Sequence, residues 1–215
     1  MAYSFPEGSK FYFSSTFAAA KTITTMSNAD PTSCASTSHG YSDNDEILLT
    51  SGWEDATDTV WRVDQQDANT FLIQGLNTLN TSFYTSGGGA NSTAEKISSW
   101  VEIPQVLTIA TSGGDPRFTT ISPIARRNAF NVATGFNPTS ITLTLGHDAS
   151  NATYQDMLDI SRALSKVAFK MVLSGGATSY GYGYMAVSEV PSLNVNQANS
   201  VTCALSLLGR SISYS

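Results

Sequence analysis

The chain has 215 residues, a formal net charge of −6 at pH 7 and a charged fraction of 13%, about half of the usual quarter. Its 30 serines and 25 threonines supply hydrogen-bonding groups without the desolvation cost of ions, which suits either a protein buried in an assembly or a soluble β-protein with a hydroxyl-rich surface. No apolar run is long enough to cross a bilayer, and residues 1–6 lack the basic and apolar regions of a secretory signal.

Two stretches near the start of the chain lack strand character. Residues 1–9, with Pro6 and Gly8, predict an N-terminal arm. Residues 27–44 are polar and without periodicity, which predicts a long loop that is functional or disordered. Neither stretch has enough apolar residues to pack on its own subunit, so both are expected to become ordered only on assembly.

Most of the remaining chain alternates between apolar and polar residues, as β-strands do. Pro104 divides two of these segments, which fits a bulge or a bend. The predicted strands are 10–14, 18–26, 46–50, 58–64, 70–76, 95–103, 105–111, 117–121, 129–133, 140–145, 167–173, 180–187 and 201–208. The segments 58–64 and 70–76 are expected to form a hairpin.

One segment, about 153–165, predicts an α-helix. Asn151 or Thr153 can cap its first free N–H groups. The spacing i, i+3, i+4, i+7 predicts one buried face, made of Tyr154, Met157, Leu158, Ser161 and Leu164. A single amphipathic helix must bury this face against another element. The fold class predicted is therefore mainly β, an antiparallel β-sandwich or barrel with one flanking helix, in a single domain spanning 1–215.

The sequence offers little for catalysis or cofactor binding. It has no phosphate-binding loop and no nucleophile elbow. His147 and Asp148 are adjacent, but adjacency is not triad geometry, and a turn is the favoured interpretation. The run 43–46 lacks the glycine and the distal glutamate of a calcium loop. Cys34 and Cys203 are isolated thiols, expected to be reduced and structural in a protein made in the cytoplasm. We expect no enzymatic activity, no metal and no cofactor.

Tyr180, Tyr182 and Tyr184 alternate with glycines, so the three rings project from one face of a strand. Such a row can stack sugars or bases, but a core or a subunit interface is favoured. The glycines on the opposite face leave room for a neighbouring backbone or the helix to approach closely.

The acidic residues are concentrated in one quarter of the chain. Residues 30–67 hold nine acids against one base, Arg62, whereas the rest of the chain is slightly basic. This excess indicates solvated loops, a surface that repels a polyanion, or a surface that docks on a basic patch. The candidate acids are Asp43, Asp45, Glu46, Glu54, Asp55, Asp58, Asp64 and Asp67, and the candidate basic contacts are Arg117, Arg126 and Arg127.

Several runs resemble the major tail tube proteins of bacteriophages with long, non-contractile tails. They are Pro6–Phe13, Ala18–Ser27, His39–Tyr41, Leu48–Asp55, Ser140–Leu145 and Ser150–Tyr154. The resemblance spans most of the chain, and its motifs are structural.

The resemblance implies a β-sandwich with one flanking helix that assembles into hexameric rings stacked as a tail tube. It implies a virion protein without enzymatic activity, made in the host cytoplasm, with the tape measure and tail terminator proteins as partners and no membrane association. Double-stranded DNA is expected to pass through the tube without specific binding. An acidic channel wall repels the duplex and keeps it sliding, whereas arginine or lysine would hold its phosphates. The alternative is a β-sandwich carbohydrate-binding or adhesion module that uses the tyrosine row.

Overall fold

A computed structural model describes residues 7–193 and 195–215 of the protein. The fold is mainly β with antiparallel sheets, and the described part of the chain holds one α-helix, as the sequence predicted. The strands are β1 (Lys10–Ser14), β2 (Lys21–Ile23), β3 (Thr25–Met26), β4 (Thr32–Ala35), β5 (Glu46–Thr50), β6 (Thr59–Gln65), β7 (Thr70–Ile73), β8 (Ser92–Lys96), β9 (Val101–Glu102), β10 (Val106–Ser112), β11 (Pro116–Ile121), β12 (Phe130–Phe136), β13 (Ser140–Gly146), β14 (Lys166–Val172), β15 (Thr178–Val187), β16 (Ser200–Leu207) and β17 (Ile212–Tyr214). The helix α1 is Ala152–Arg162.

The first sheet has eight strands in the order β10-β13-β16-β15-β14-β1-β9, with β17 paired to β15. Side chains along β13 alternate between buried and half-buried, because successive residues of a strand point to opposite faces. Ile141, Leu143 and Leu145 of β13 join Met157 and Leu158 of α1 in one core cluster. The helix therefore covers one face of the first sheet, as an isolated amphipathic helix requires.

The helix begins as predicted and ends earlier. The Asn151 side chain accepts a hydrogen bond from the backbone N–H of Tyr154 (3.2 Å), which caps the first turn. Tyr154, Met157 and Leu158 are buried as expected. Leu164 is 72% exposed, so its assignment to the buried face is wrong. The cause is the backbone, which leaves the helix after Arg162 and turns to a positive φ of 50° at Leu164.

The second sheet nearly closes into a barrel. Its order is β2-β8-β5-β6-β7-β4-β3, so its two outermost strands are consecutive in the chain and separated only by Thr24. The predicted strand 18–26 is thus two short strands on opposite edges of one sheet. Closure removes free edges and encloses an apolar cluster that includes Ile23, Met26, Cys34, Ile47, Leu49, Trp61, Val63, Phe71, Ile73 and Ala94.

The predicted loop 27–44 is wrong, because β4 lies within it and pairs with β7 and β3. Cys34 of β4 points into the barrel, and His39 and Tyr41 are buried at its end. The alternation was hidden by hydroxyl groups that are buried but hydrogen-bonded; the Thr32 hydroxyl donates to the Leu76 carbonyl (3.0 Å). Of the predicted N-terminal arm, residues 1–6 lie outside the described residues.

The two large sheets pack against each other through a third cluster. Leu48 and Val60 come from the second sheet, and Ala168, Tyr180 and Tyr182 from the first. The arrangement is that of the predicted β-sandwich, with one of its two layers curled into the barrel.

A two-stranded sheet extends from the edge of the first sheet. β10 and β13 pair with each other in the first sheet, and the same two segments continue as β11 and β12, which pair only with each other. The pairing is interrupted at Gly113, whose φ is +84°. A Cβ there would lie 2.0 Å from the carbonyl oxygen of Pro138, so glycine is required. Residues 113–138 are called the distal hairpin below.

Candidate functional site

Glu46 lies between the two large sheets and not on the outer surface. Its carboxylate is 3.2 Å from Lys170 Nζ, and both side chains are only 17% exposed. It also accepts hydrogen bonds from Trp100 Nε1 and from the Tyr180 hydroxyl. The carboxylate therefore joins β5 of the second sheet to β14 and β15 of the first.

A second cation completes this group, which we call the inter-sheet network: Glu46, Lys170, Trp100, Tyr180 and Arg62. The Arg62 guanidinium donates to the Tyr180 hydroxyl at 2.8 Å and 3.0 Å. Lys170 Nζ lies 4.5 Å from the Trp100 ring centroid, within cation–π range. Burial, followed by the hydrogen bond to Glu46, raises the pKa of Tyr180. Every charged group of the network thus has a partner in the same chain, and its role is structural.

Asp45 is also paired within its own chain. Its carboxylate lies 2.7 Å from Lys96 Nζ and is 15% exposed. It accepts a further hydrogen bond from the backbone N–H of Ser42 (2.8 Å). Asp45 and Glu46 are thereby held in place by neighbouring elements, which leaves six of the predicted acids.

These six acids separate to the two ends of the β5–β6 hairpin. Asp43, Asp64 and Asp67 lie at its open end, where Asp43 accepts from the Gln65 N–H (2.7 Å) and Asp67 from the Asn69 N–H (2.7 Å). We call them the open-end acids. Glu54, Asp55 and Asp58 lie in the turn that joins β5 to β6. Five residues of strand separate the two groups by roughly 17 Å, so they belong to different surfaces.

The turn that carries Glu54, Asp55 and Asp58 rests on a buried tryptophan. Trp53 is 1% exposed and donates from Nε1 to the Thr85 carbonyl (2.9 Å). A Cβ on Gly88 would lie 2.8 Å from Trp53 Nε1, and one on Gly89 would lie 2.9 Å from the ring. Gly88 and Gly89 therefore lie in close contact with the indole, where a larger residue would clash.

A loop with exposed apolar side chains lies next to the acidic turn. Trp53 packs edge-on against Tyr84 (5.4 Å between centroids), which brings the loop around Tyr84 next to the acidic turn. Burial and, after it, the charge of Asp55 raise the pKa of Tyr84, while nearby Arg210 lowers it. Leu79 and Phe83 in that loop are 60% and 67% exposed. We call the surface made of Glu54, Asp55, Asp58, Leu79 and Phe83 the turn face; it is both acidic and apolar.

The three predicted basic residues all lie on the distal hairpin. Arg117 is in β11, and Arg126 and Arg127 are in the loop between β11 and β12. Within the described residues none of the three forms an ion pair. The structure therefore does not bring the candidate arginines onto the candidate acids of the same chain.

The distal hairpin is exposed on both of its faces. Ile121 and Phe130 are directly opposite in the register, and Val132 is two residues further along β12, so these three share one face. A bulge at Arg117 and Phe118 shifts the register. The large apolar side chains left exposed are Phe118, Ile121, Ile124, Phe130, Val132 and Phe136. Sequence analysis missed this feature because the alternation of β12 resembles that of a buried strand.

The tyrosine row is mostly core. Tyr180 and Tyr182 are buried in the contact between the sheets, and only Tyr184 is partly exposed. The predicted close approach on the glycine face is confirmed, because a Cβ on Gly183 would lie 1.9 Å from the Ser206 carbonyl oxygen. The row offers no exposed stacking platform for a sugar or a base.

The other residues considered for catalysis or metal binding have structural roles. The Asp148 carboxylate accepts from the Ser150 hydroxyl (2.7 Å) and N–H (2.9 Å), which is turn geometry. Burial raises the pKa of both Cys34 and Cys203 to about 12, which suppresses thiolate formation. In the described residues no cluster of three or more histidine, cysteine or carboxylate side chains could hold a metal ion. Nor does any described helix have the length and apolar character needed to span a bilayer.

Comparison with known proteins gives one result. A family model described as phage tail tube protein matches residues 51–215, which is well over half of the chain. In a search of curated proteins, none matches this chain. The match includes the distal hairpin, the helix, most of the first sheet and the strands β6, β7 and β8 of the second. The chain belongs to the phage tail tube protein family, a structural family of the virion tail.

Proposed function

From this family membership we propose that the chain, as a single tail tube domain spanning residues 1–215, is the repeating subunit of hexameric rings that stack into the tube of a long, non-contractile tail. The observation that carries the proposal is the distal hairpin. An isolated two-stranded hairpin is marginally stable at best in water, and this one leaves apolar side chains exposed on both faces. Exposed apolar area of this kind indicates an interaction site, and copies of the subunit supply a partner at every position of a tube.

The tube is the conduit for genomic double-stranded DNA in this proposal, and it carries out no catalysis. The open-end acids Asp43, Asp64 and Asp67 are the best candidates for the channel wall. None of the large apolar side chains exposed in the described part of the chain comes from residues 43–70, which suits contact with water and a moving polyanion. Repeated carboxylates repel phosphate and prevent the duplex from being held.

The tape measure and tail terminator proteins are the partners proposed for the inside and the end of the tube. The protein would be made in the host bacterial cytoplasm and act in the virion. The alternative of a carbohydrate-binding module loses its main support, since Tyr180 and Tyr182 are buried.

Electron microscopy of the purified chain tests the assembly. We expect tubes or rings whose end-on views have sixfold symmetry. A chain that stays monomeric at high concentration and physiological salt would overturn the proposal, and a different ring symmetry would overturn the hexamer alone.

The channel assignment has a separate test in infectious particles. Asp43→Lys, Asp64→Lys and Asp67→Lys together should leave tubes intact and slow DNA ejection, because each copy in each ring adds an attraction for phosphate. The matched control is Asp156→Lys on the exposed face of α1. Normal ejection by the triple variant would show that the open-end acids do not line the channel.

A further inference from the structure

We propose that the distal hairpin of one copy docks on the turn face of a second copy, with Arg117, Arg126 and Arg127 against Glu54, Asp55 and Asp58. This inference rests on the proposed function and specifies the contact by which the subunits assemble. The hairpin has the composition of half an interface. A standard interface takes about 20–30 residues from each partner, which is the length of residues 113–138.

The side chains of the distal hairpin determine what kind of surface can bind it. Six of its exposed side chains are large and apolar, and its charges are three arginines and one acid, Asp115. The Arg126 guanidinium lies 5.5 Å from the Phe130 ring centroid, so positive charge and apolar surface are adjacent. The complementary surface must therefore be apolar and acidic at the same place.

The turn face meets both requirements within the described residues. Leu79 and Phe83 provide exposed apolar side chains, and Glu54, Asp55 and Asp58 provide three carboxylates that form no ion pair there. Trp53 and the glycines above it hold the two loops together. A surface ordered in advance loses less conformational entropy when a partner binds.

Two other surfaces meet only part of the requirement. The stretches that carry the open-end acids, 43–46 and 62–70, expose no large apolar side chain among the described residues. Leu164 and Val190 expose apolar area beyond the helix, but the acids beside them, Asp159 and Glu189, are already paired with Arg162 at 3.4 Å and 2.8 Å. Of these three surfaces, as far as the structure describes the chain, the turn face is the one that offers unpaired carboxylates together with exposed apolar side chains.

The geometry of the contact suits an assembly that grows. The hairpin and the turn face are different surfaces of the subunit, so a heterologous contact between them can join copies head to tail, as a ring or a stack of rings requires. The hairpin residues are exposed in this structure, so they do not cover the turn face of their own chain. Each copy therefore retains one free hairpin and one free turn face until a neighbour or ring closure occupies them.

Reciprocal charge reversal tests the contact. Arg126→Glu with Arg127→Glu, or Glu54→Lys with Asp55→Lys, should each raise the concentration needed for tube formation by at least about tenfold, because like charges then face each other. All four changes together should restore assembly toward the wild-type level. The matched control, Asp43→Lys with Asp67→Lys, should assemble normally. Tube formation is followed by sedimentation and negative-stain microscopy, and circular dichroism verifies that each variant is folded.

A cross-link gives a second, independent measurement. Ile124→Cys with Phe83→Cys should produce a ladder of disulfide-linked oligomers when assembled tubes are oxidised, and neither single variant should do so. The native thiols do not interfere, since Cys34 and Cys203 are buried.

The outcomes separate the two proposals. Wild-type tubes that tolerate both charge reversals and give no cross-linked ladder would overturn the docking contact and leave the tube function standing. A wild-type chain that forms neither rings nor tubes would overturn the proposed function itself.

Discussion

The strands β12 and β13 follow each other in the chain, have similar alternating sequences, and differ in what covers them. β13 belongs to the first sheet and buries Ile141, Leu143 and Leu145 in the core cluster that the helix covers. β12 has Phe130, Val132 and Phe136 in an equivalent pattern, and all three remain exposed. Alternation therefore specifies a strand and an apolar face, whereas the partner of that face depends on the rest of the assembly. In a tail tube protein, an apolar face that its own chain leaves open indicates where another copy binds.

Removal of the distal hairpin should have the largest effect and should act on assembly alone. We expect replacement of residues 115–136 by an Asn-Gly turn, a sequence suited to a two-residue hairpin, to abolish tubes. The unfolding midpoint of the monomer should change little, because β11 and β12 pair only with each other. Sedimentation measures the first quantity and thermal circular dichroism the second. Tubes formed by this variant would show that the hairpin is not a subunit contact.

Changes in the inter-sheet network, by contrast, should lower the stability of the monomer. Glu46→Gln leaves the largely buried Lys170 without its counter-ion, and loss of one partner of a buried pair costs about 3–5 kcal/mol; the residual exposure of this pair favours the lower end. Asp67→Asn, at an exposed carboxylate, should change the free energy of unfolding by less than about 0.5 kcal/mol. Urea unfolding of the two variants at pH 7 measures the difference. Equal costs would mean that Glu46 does not join the sheets.

Two isoleucines allow a direct comparison between the buried pair β10–β13 and its exposed continuation, the pair β11–β12. Ile141 in β13 is 8% exposed and Ile121 in β11 is 41% exposed. Ile141→Ala should lower the free energy of unfolding by about 2–5 kcal/mol, and Ile121→Ala by less than about 0.5 kcal/mol. In tube assembly we expect Ile121→Ala to be defective, since its side chain would be buried only between copies. Similar stability losses would contradict the difference between the halves.

The local pattern of the sequence predicted most elements and few of their partners. The strands at 10–14 and 46–50 were predicted with the bounds observed. The helix was predicted with Met157 buried; of the two caps considered, Asn151 and Thr153, the structure has Asn151. β4 was missed because buried hydroxyls satisfied by hydrogen bonds do not appear in a hydrophobic pattern. Contacts between distant residues were also missed. Glu46 and Lys170 are 124 residues apart, and nothing local in the sequence indicates that this acid is internal.

The sequence indicated which residue types form the candidate site, but not where those residues lie on the folded chain. The concentration of acids at 30–67 and the three arginines were visible as charge, but their separation onto different surfaces was not. That separation follows from the β5–β6 hairpin, which places Asp43 and Asp64 at one end and Glu54 and Asp58 at the other. The apolar half of the turn face depends on the packing of Trp53 against Tyr84, which only the folded chain brings together.

The smallest expected effect is a loss of stability at alkaline pH, which arises in the contact between the sheets and not in the distal hairpin. The pKa of Tyr180 is raised by burial and by its hydrogen bond to Glu46, and the hairpin contains no tyrosine or cysteine. Below about pH 10 Tyr180 is protonated in both the folded and the unfolded chain, so its contribution to stability is fully present. Above that pH the unfolded chain releases a proton that the folded chain retains. Stability therefore falls as pH rises, by at most about 1.4 kcal/mol per pH unit for this group.

Tyr180→Phe tests this pH dependence, because it removes the ionisable group and keeps the ring. The variant should start less stable at pH 8, having lost hydrogen bonds to Glu46 and Arg62, and should then lose stability less steeply between pH 9.5 and 11. Tyr184→Phe is the matched control, since Tyr184 lies on the same strand and is partly exposed; it should keep the wild-type slope. Tyr182, Tyr214 and Tyr41 also have pKa values raised by burial, so some slope must remain in every variant. If urea titrations across this range give Tyr180→Phe the wild-type slope, Tyr180 does not hold its proton between the sheets, and the inter-sheet network is looser than the structure indicates.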